Sequence, residues 1–146
     1  DPTADLVERL YPPKAVASMA SLCDFLVITA PRTAETWNMI DRQVFAALRP
    51  TAFLVDLSRG GVVDHNALIE ALAQKRLAGA MLDVYPDEPL PDSSPLWEMP
   101  NVLLSPHIAG ASGDYFERAT ELFAENLRRY LSDQPLLNLY DPQRGY

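Results

Sequence analysis

The chain has 146 residues, 48% of them hydrophobic and 22% charged, the balance of an ordinary globular protein with enough length for one sizeable core. Its formal net charge of -8, from 12 basic and 20 acidic residues, argues against nucleic acid or an anionic membrane as a partner. A single cysteine, Cys23, excludes an intrachain disulfide and a cysteine-ligated metal cluster, and no window approaches the roughly 18 apolar residues of a membrane-spanning helix.

Residues 1–23 are mixed, broken at Pro12-Pro13, with a weak helical stretch over 14–22. The run Phe25-Leu26-Val27-Ile28, ended by Pro31, reads as a buried strand over 25–29. Trp37, Ile40, Val44, Phe45 and Leu48 fall on one side of a predicted helix over 34–48, which Pro50 stops. A second apolar run, 52–56, is ended by Ser58-Arg59-Gly60-Gly61. Asp64 then serves as N-cap of a helix running to Lys75, with Leu68, Ile69 and Leu72 facing inward. Residues 78–83 form a third buried run, 86–95 a proline-rich acidic loop, and 101–104 a fourth run. The longest amphipathic stretch, 112–131, carries Phe116, Leu122, Phe123, Leu127 and Tyr130, and a polar tail follows it. Short apolar runs alternating with helices predict an α/β fold whose parallel sheet is covered on both faces.

In such sheets ligands bind beyond the carboxyl ends of the strands. Arg59 follows the second strand, Asp83 closes the third with Glu88 in the loop after it, and His107 follows the fourth within Ser105-Pro106-His107-Ile108-Ala109-Gly110. A parallel sheet brings these strand ends to one edge, so a guanidinium, a carboxylate and an imidazole meet around one crevice. An arginine fork binds a carboxylate through two parallel hydrogen bonds. A neighbouring carboxylate fixes the imidazole tautomer and favours its protonated form, which can then protonate a developing alkoxide. That set suits reduction of a 2-oxo acid or the reverse oxidation. The chain's second histidine, His65, follows the N-cap Asp64 in the first turn of a helix and reads as a surface residue. Cys23 reads as a small buried residue, and Trp97 as packing.

Three motifs in order carry a resemblance: Leu54-Val55-Asp56-Leu57-Ser58-Arg59-Gly60-Gly61-Val62-Val63-Asp64, Gly79-Ala80-Met81-Leu82-Asp83-Val84-Tyr85-Pro86-Asp87-Glu88-Pro89, and Pro100-Asn101-Val102-Leu103-Leu104-Ser105-Pro106-His107-Ile108-Ala109-Gly110. Together they resemble the D-isomer-specific 2-hydroxyacid dehydrogenases, over about residues 24–138. The resemblance implies that Arg59 holds the substrate carboxylate and carbonyl oxygen, that His107 is the general acid/base, and that Glu88 is its acidic partner. It implies that Asp83 lies near the nicotinamide carboxamide, and that Ala30, Leu57, Ser58, Ala109 and Gly110 line the cofactor beside Arg59 and His107. Arg32, where the family usually has leucine, would lie near the cofactor side of the sheet; of two readings, a residue favouring a phosphorylated ribose and a tolerated exposed change, the second is preferred.

No G-x-G-x-x-G occurs in the sequence, and Asp1 resembles the acidic ribose-binding residue that lies about 20 residues beyond that fingerprint. The resemblance therefore implies a partial Rossmann-like doubly wound sheet. Residues 1–111 would be an incomplete NAD(P)-binding domain lacking its first βαβ unit and glycine-rich loop, and 112–146 a helix and tail returning to a catalytic lobe. It further implies NAD as cofactor, with NADP possible, a small 2-oxo or 2-hydroxy acid as substrate, no metal, a homodimer, and a cytoplasmic location. The piece alone is expected to be inactive. The alternative is a dinucleotide-sensing binding protein like the C-terminal-binding-protein corepressors, which resemble the same family.

Overall fold

The computed structural model describes residues 6–142. They divide into two compact units, the first ending at Pro106 and the second starting at His107.

The first unit is a four-stranded, all-parallel sheet in sequential order. Its strands are β1 (Phe25–Ile28), β2 (Phe53–Asp56), β3 (Gly79–Leu82) and β4 (Val102–Leu104). Each is an apolar run with few turn residues, the composition that parallel strands favour. The register aligns Ile28 with Asp56, Asp56 with Leu82, and Leu82 with Leu104, so the strands end level with one another.

Three short helices connect and precede these strands: α1 (Val16–Ala20), α2 (Arg42–Ala47) and α3 (His65–Ala73). Asp41 caps α2 by accepting from the amides of Gln43 and Val44, and Asp64 caps α3 by accepting from that of Ala67, each satisfying donors that a helix start leaves open. Leu26, Ile28, Leu54, Ala80 and Leu82 from alternate strand positions share one core with Ala20, Val44, Phe45, Leu68 and Leu72 from the helices. Burying one such leucine contributes about 1.5–3 kcal/mol.

The four strands form the expected Rossmann-like parallel sheet. Strands added in sequential order by right-handed crossovers put every connecting helix on the same side, and here the helices pack on one face. The other face presents Phe25 (65% exposed), Val27 (54%) and Leu103 (71%), and the rings of Phe25 and Phe53 stack 5.6 Å apart.

The predicted helix over 34–48 is shorter than expected, because only α2 is helical. The Thr36 hydroxyl donates to the Pro31 carbonyl at 2.6 Å and accepts from the Thr33 amide at 2.8 Å, which holds a turn. Side chains bonding locally to backbone in this way compete with the helical ladder. Asn38 adopts φ 50°, and Ile40 makes a parallel bridge with Val63. Ile40, Val44, Phe45 and Leu48 are buried all the same, whereas Trp37 is exposed and covers Gly61, where a Cβ would sit 2.4 Å from its ring. The loop 86–95 leads into a 3-10 turn, Pro95–Glu98, capped by Ser94.

The second unit contains α4 (Tyr115–Leu131). Its tail folds back along it: the Asn126 side chain accepts from the Leu137 amide at 2.8 Å and donates to the Leu137 carbonyl at 3.1 Å. Among the described residues, no helix is long and apolar enough to cross a membrane.

Candidate active site at the carboxyl edge of the sheet

The level register puts the segments after β1, β2, β3 and β4 at one edge of the sheet. From β2 comes the turn holding Arg59. Asp56, fully buried, accepts through Oδ1 from the Ser58 amide (3.0 Å) and the Ser58 hydroxyl (2.5 Å), an Asx-type turn that fixes the strand exit. Its Oδ2 is buried and has no hydrogen-bond partner. Burial pushes the Asp56 carboxyl above its ordinary range, and the Ser58 bonds oppose that shift in part. Arg59 itself is exposed, and its Nη1 donates to the Ser58 carbonyl at 2.7 Å.

From β3 come Asp83, buried, and Glu88, exposed. The Ser105 hydroxyl, just past β4, donates to Asp83 Oδ1 at 2.5 Å. The Tyr85 hydroxyl lies 2.9 Å from both the Leu82 and the Ser105 carbonyls, so its one proton serves either and ties the ends of β3 and β4. Burial raises the Tyr85 phenol pKa, and the nearby carboxylates Asp83 and Glu88 add to the rise. Glu88 Oε1 accepts from the Tyr85 amide at 3.0 Å, which closes the loop carrying it. Gly60 is required here: a Cβ on it would lie 1.9 Å from the Tyr85 carbonyl oxygen, so the turn after β2 and the loop after β3 touch backbone to backbone.

Ala30 follows β1 and is half-buried, and Leu57 and Ser58 follow β2, half-buried and buried respectively. His107 opens the second unit, two residues beyond Ser105. It is exposed and adopts φ 55°, a left-handed conformation uncommon for a residue with a Cβ and concentrated at functional sites. Ala109 and Gly110 are exposed in the same segment. Asp1 lies outside the described residues. Among the described residues no group of three or more His, Cys, Asp or Glu is arranged to hold a metal ion.

The chemistry of this edge fits the nicotinamide end of a dinucleotide. Asp83 supplies a buried acceptor for an amide N–H at the end of β3, and Ala30 and Leu57 supply small or apolar residues after β1 and β2. It does not fit the pyrophosphate, since the phosphate-cradling glycine pattern is absent from the sequence.

The expectation that His65 is a surface residue is corrected. His65 is only 9% exposed, sits edge-on to the Tyr85 ring at 6.2 Å, and has a buried Nε2 without a hydrogen-bond partner. It helps line a cavity of about 250 Å³ together with Ile69, Pro86, Leu90 and Leu96. Burial lowers its pKa to about 4, against an opposing pull from Asp64. Cys23 is half-buried, with its thiol donating to the Met19 carbonyl at 3.3 Å. Trp97 is exposed and donates from Nε1 to the Pro91 carbonyl at 3.0 Å.

Sequence reasoning gave no role to Asp56, Tyr85 or Ser105. A charged residue at the end of an apolar run with serine two positions on is the signal that points to Asp56. Tyr85 and Ser105 act across strands and leave no local pattern.

Comparison with known proteins gives one consistent result. Residues 2–109 match the family model for the D-isomer specific 2-hydroxyacid dehydrogenase, NAD binding domain. The chain is 43% identical over 120 residues to a glyoxylate/hydroxypyruvate reductase B of Pectobacterium atrosepticum, covering 82% of this chain and 38% of that protein. A D-isomer specific 2-hydroxyacid dehydrogenase from Xanthobacter autotrophicus, solved in complex with NADPH and MES, superposes with a TM-score of 0.84 at 39% identity, over 91% of this chain and 54% of that one. An NADPH-dependent glyoxylate/hydroxypyruvate reductase from Sinorhizobium meliloti, solved with NADP and sulfate, superposes with a TM-score of 0.84 at 30% identity, over 96% of this chain and 47% of that one.

Proposed function

The chain belongs to the D-isomer specific 2-hydroxyacid dehydrogenase family, and from that premise we propose that it forms part of an NAD(P)-dependent reductase of small 2-oxo acids. The observation that carries the reading is the level end of β2, β3 and β4. It sends the turn carrying Arg59, the loop carrying Glu88 and the Ser105-Pro106 step out from one edge, and His107 is the next residue in sequence.

Arg59 binds the substrate carboxylate and carbonyl oxygen with its planar fork. Bound NAD(P)H supplies the hydride that adds to C2 of the acid. As that carbon is reduced, the carbonyl π electrons move onto the oxygen, and His107 gives that oxygen its proton. Glu88 accepts from the imidazole, holds the tautomer and favours the imidazolium before transfer. Asp83 would hold the nicotinamide end of the cofactor by accepting from its carboxamide N–H. In the reverse direction His107 takes the hydroxyl proton. Residues 1–111 make up the nucleotide-binding portion and 112–146 the segment that leads to a catalytic lobe. The chain spans about two-fifths of the curated reductase it matches, so the reading concerns the protein at its full encoded length. It includes a homodimer in the cytoplasm, and both rest on family resemblance. The relatives described above are reductases and dehydrogenases, which gives the corepressor alternative no support.

The test is a steady-state assay of the full-length protein with glyoxylate, hydroxypyruvate and pyruvate, each with NADH and NADPH. Wild type is expected to turn over at least one pair, and His107→Ala to lose at least about 10²-fold in kcat. Undiminished turnover in His107→Ala would remove the proton-transfer role.

A further inference from the structure

The turn that carries Arg59 has a donor for every carbonyl. The Ser58 carbonyl accepts from Arg59 Nη1 at 2.7 Å, Arg59 from the Val62 amide at 3.2 Å, and Gly61 from the Asn38 amide at 2.7 Å. The Gly60 carbonyl accepts from Arg32 Nη1 at 3.2 Å, across 28 residues of chain. Of these four bonds only the Arg32 bond comes from a side chain outside the turn. Arg32 follows β1 at the same sheet edge, beside the Thr33–Thr36 turn that fixes its own backbone. Gly60 meanwhile lies flush against the Tyr85 carbonyl, so the turn is held from the β3 side by contact and from the β1 side by a guanidinium.

We infer that Arg32 is a positioning residue for Arg59: it bridges the loops after β1 and β2 and holds the turn in the shape that presents the Arg59 fork. This rests on the function proposed above. An arginine suits the task because its charged donor bonds a carbonyl more strongly than a neutral one and it stays charged at any working pH. A leucine at this position keeps the apolar stem and loses the bridge. A lysine keeps a cationic donor of similar reach. Positioning the fork affects the carboxylate in ground state and transition state alike and the carbonyl oxygen as it gains charge, so its loss lowers kcat/KM for the 2-oxo acid.

The test uses the full-length protein in wild-type, Arg32→Leu and Arg32→Lys forms. In Arg32→Leu, kcat/KM for the 2-oxo acid is expected to fall about tenfold, with the KM for NAD(P)H held within about twofold, and Arg32→Lys to recover most of the loss. A rise in the NAD(P)H KM instead would make Arg32 a cofactor contact and overturn the inference. So would an unchanged kcat/KM for the 2-oxo acid. Hydrogen exchange gives a readout that needs no activity: the amides of Val62 and Asn38 are expected to exchange about tenfold faster in Arg32→Leu. Exchange at the wild-type rate would overturn the inference however active the enzyme is. Faster exchange in a protein that reduces no 2-oxo acid would support the bridge and refute the proposed function.

Discussion

Acidification tests the buried His65 most sharply. Its imidazole has a folded pKa of about 4 against an ordinary 6.5, because burial disfavours the charged form. Between those values the unfolded chain binds a proton that the folded chain does not, so stability is fully present above about pH 6.5 and is lost as pH falls toward 4. The loss is about 2 kcal/mol at pH 5 and about 3 kcal/mol once both states are protonated. Asp56 works in the opposite direction. Its carboxyl is raised in the folded state, so that state holds the extra proton and stability is gained as pH falls through the raised value. Comparison with His65→Leu cancels that contribution. The assay is urea unfolding of wild type and variant at pH 7 and pH 5, followed by fluorescence of Trp37 and Trp97. Wild type is expected to lose about 2 kcal/mol more than His65→Leu between the two pH values. Equal losses would refute the claim that a neutral imidazole is locked between α3 and Tyr85.

Two further substitutions test how the edge is built. Gly60→Ala forces a Cβ onto the Tyr85 carbonyl and is expected to cost about 1–3 kcal/mol or more in unfolding free energy, read by thermal denaturation with circular dichroism; an unchanged midpoint would mean the two loops do not meet there. Asp64→Ala removes the cap on α3 and is expected to cost about 1 kcal/mol, with Asp64→Asn retaining most of it, measured by urea titration.

Much of the edge was legible before any coordinates. The strands are short apolar runs cut off by proline, glycine or serine, and each is found within a residue or two of its expected place. Asp64 announced α3 because an N-cap is a local event between a side chain and an amide three residues on. The stretch 34–48 misled because its apolar spacing is helical while Thr33 and Thr36 bind the backbone into a turn, a competition that hydrophobic periodicity does not register. His65 misled for a different reason. The first turn of an isolated helix is exposed, and what buries His65 is Tyr85 and the loop around Pro86 to Leu96, twenty residues or more away in sequence. Arg32 looked incidental because its partner is a backbone carbonyl beyond the next strand.

Hydride transfer to C2 is the step on which the account turns, and isotopic labelling reads it directly. The full-length protein should be given a 2-oxo acid with NADH or NADPH carrying deuterium at the transferable position, and the product examined by NMR and chiral chromatography. The expected product is a 2-hydroxy acid of D configuration with deuterium on C2. A product of L configuration, or one bearing only solvent hydrogen at C2, would contradict it.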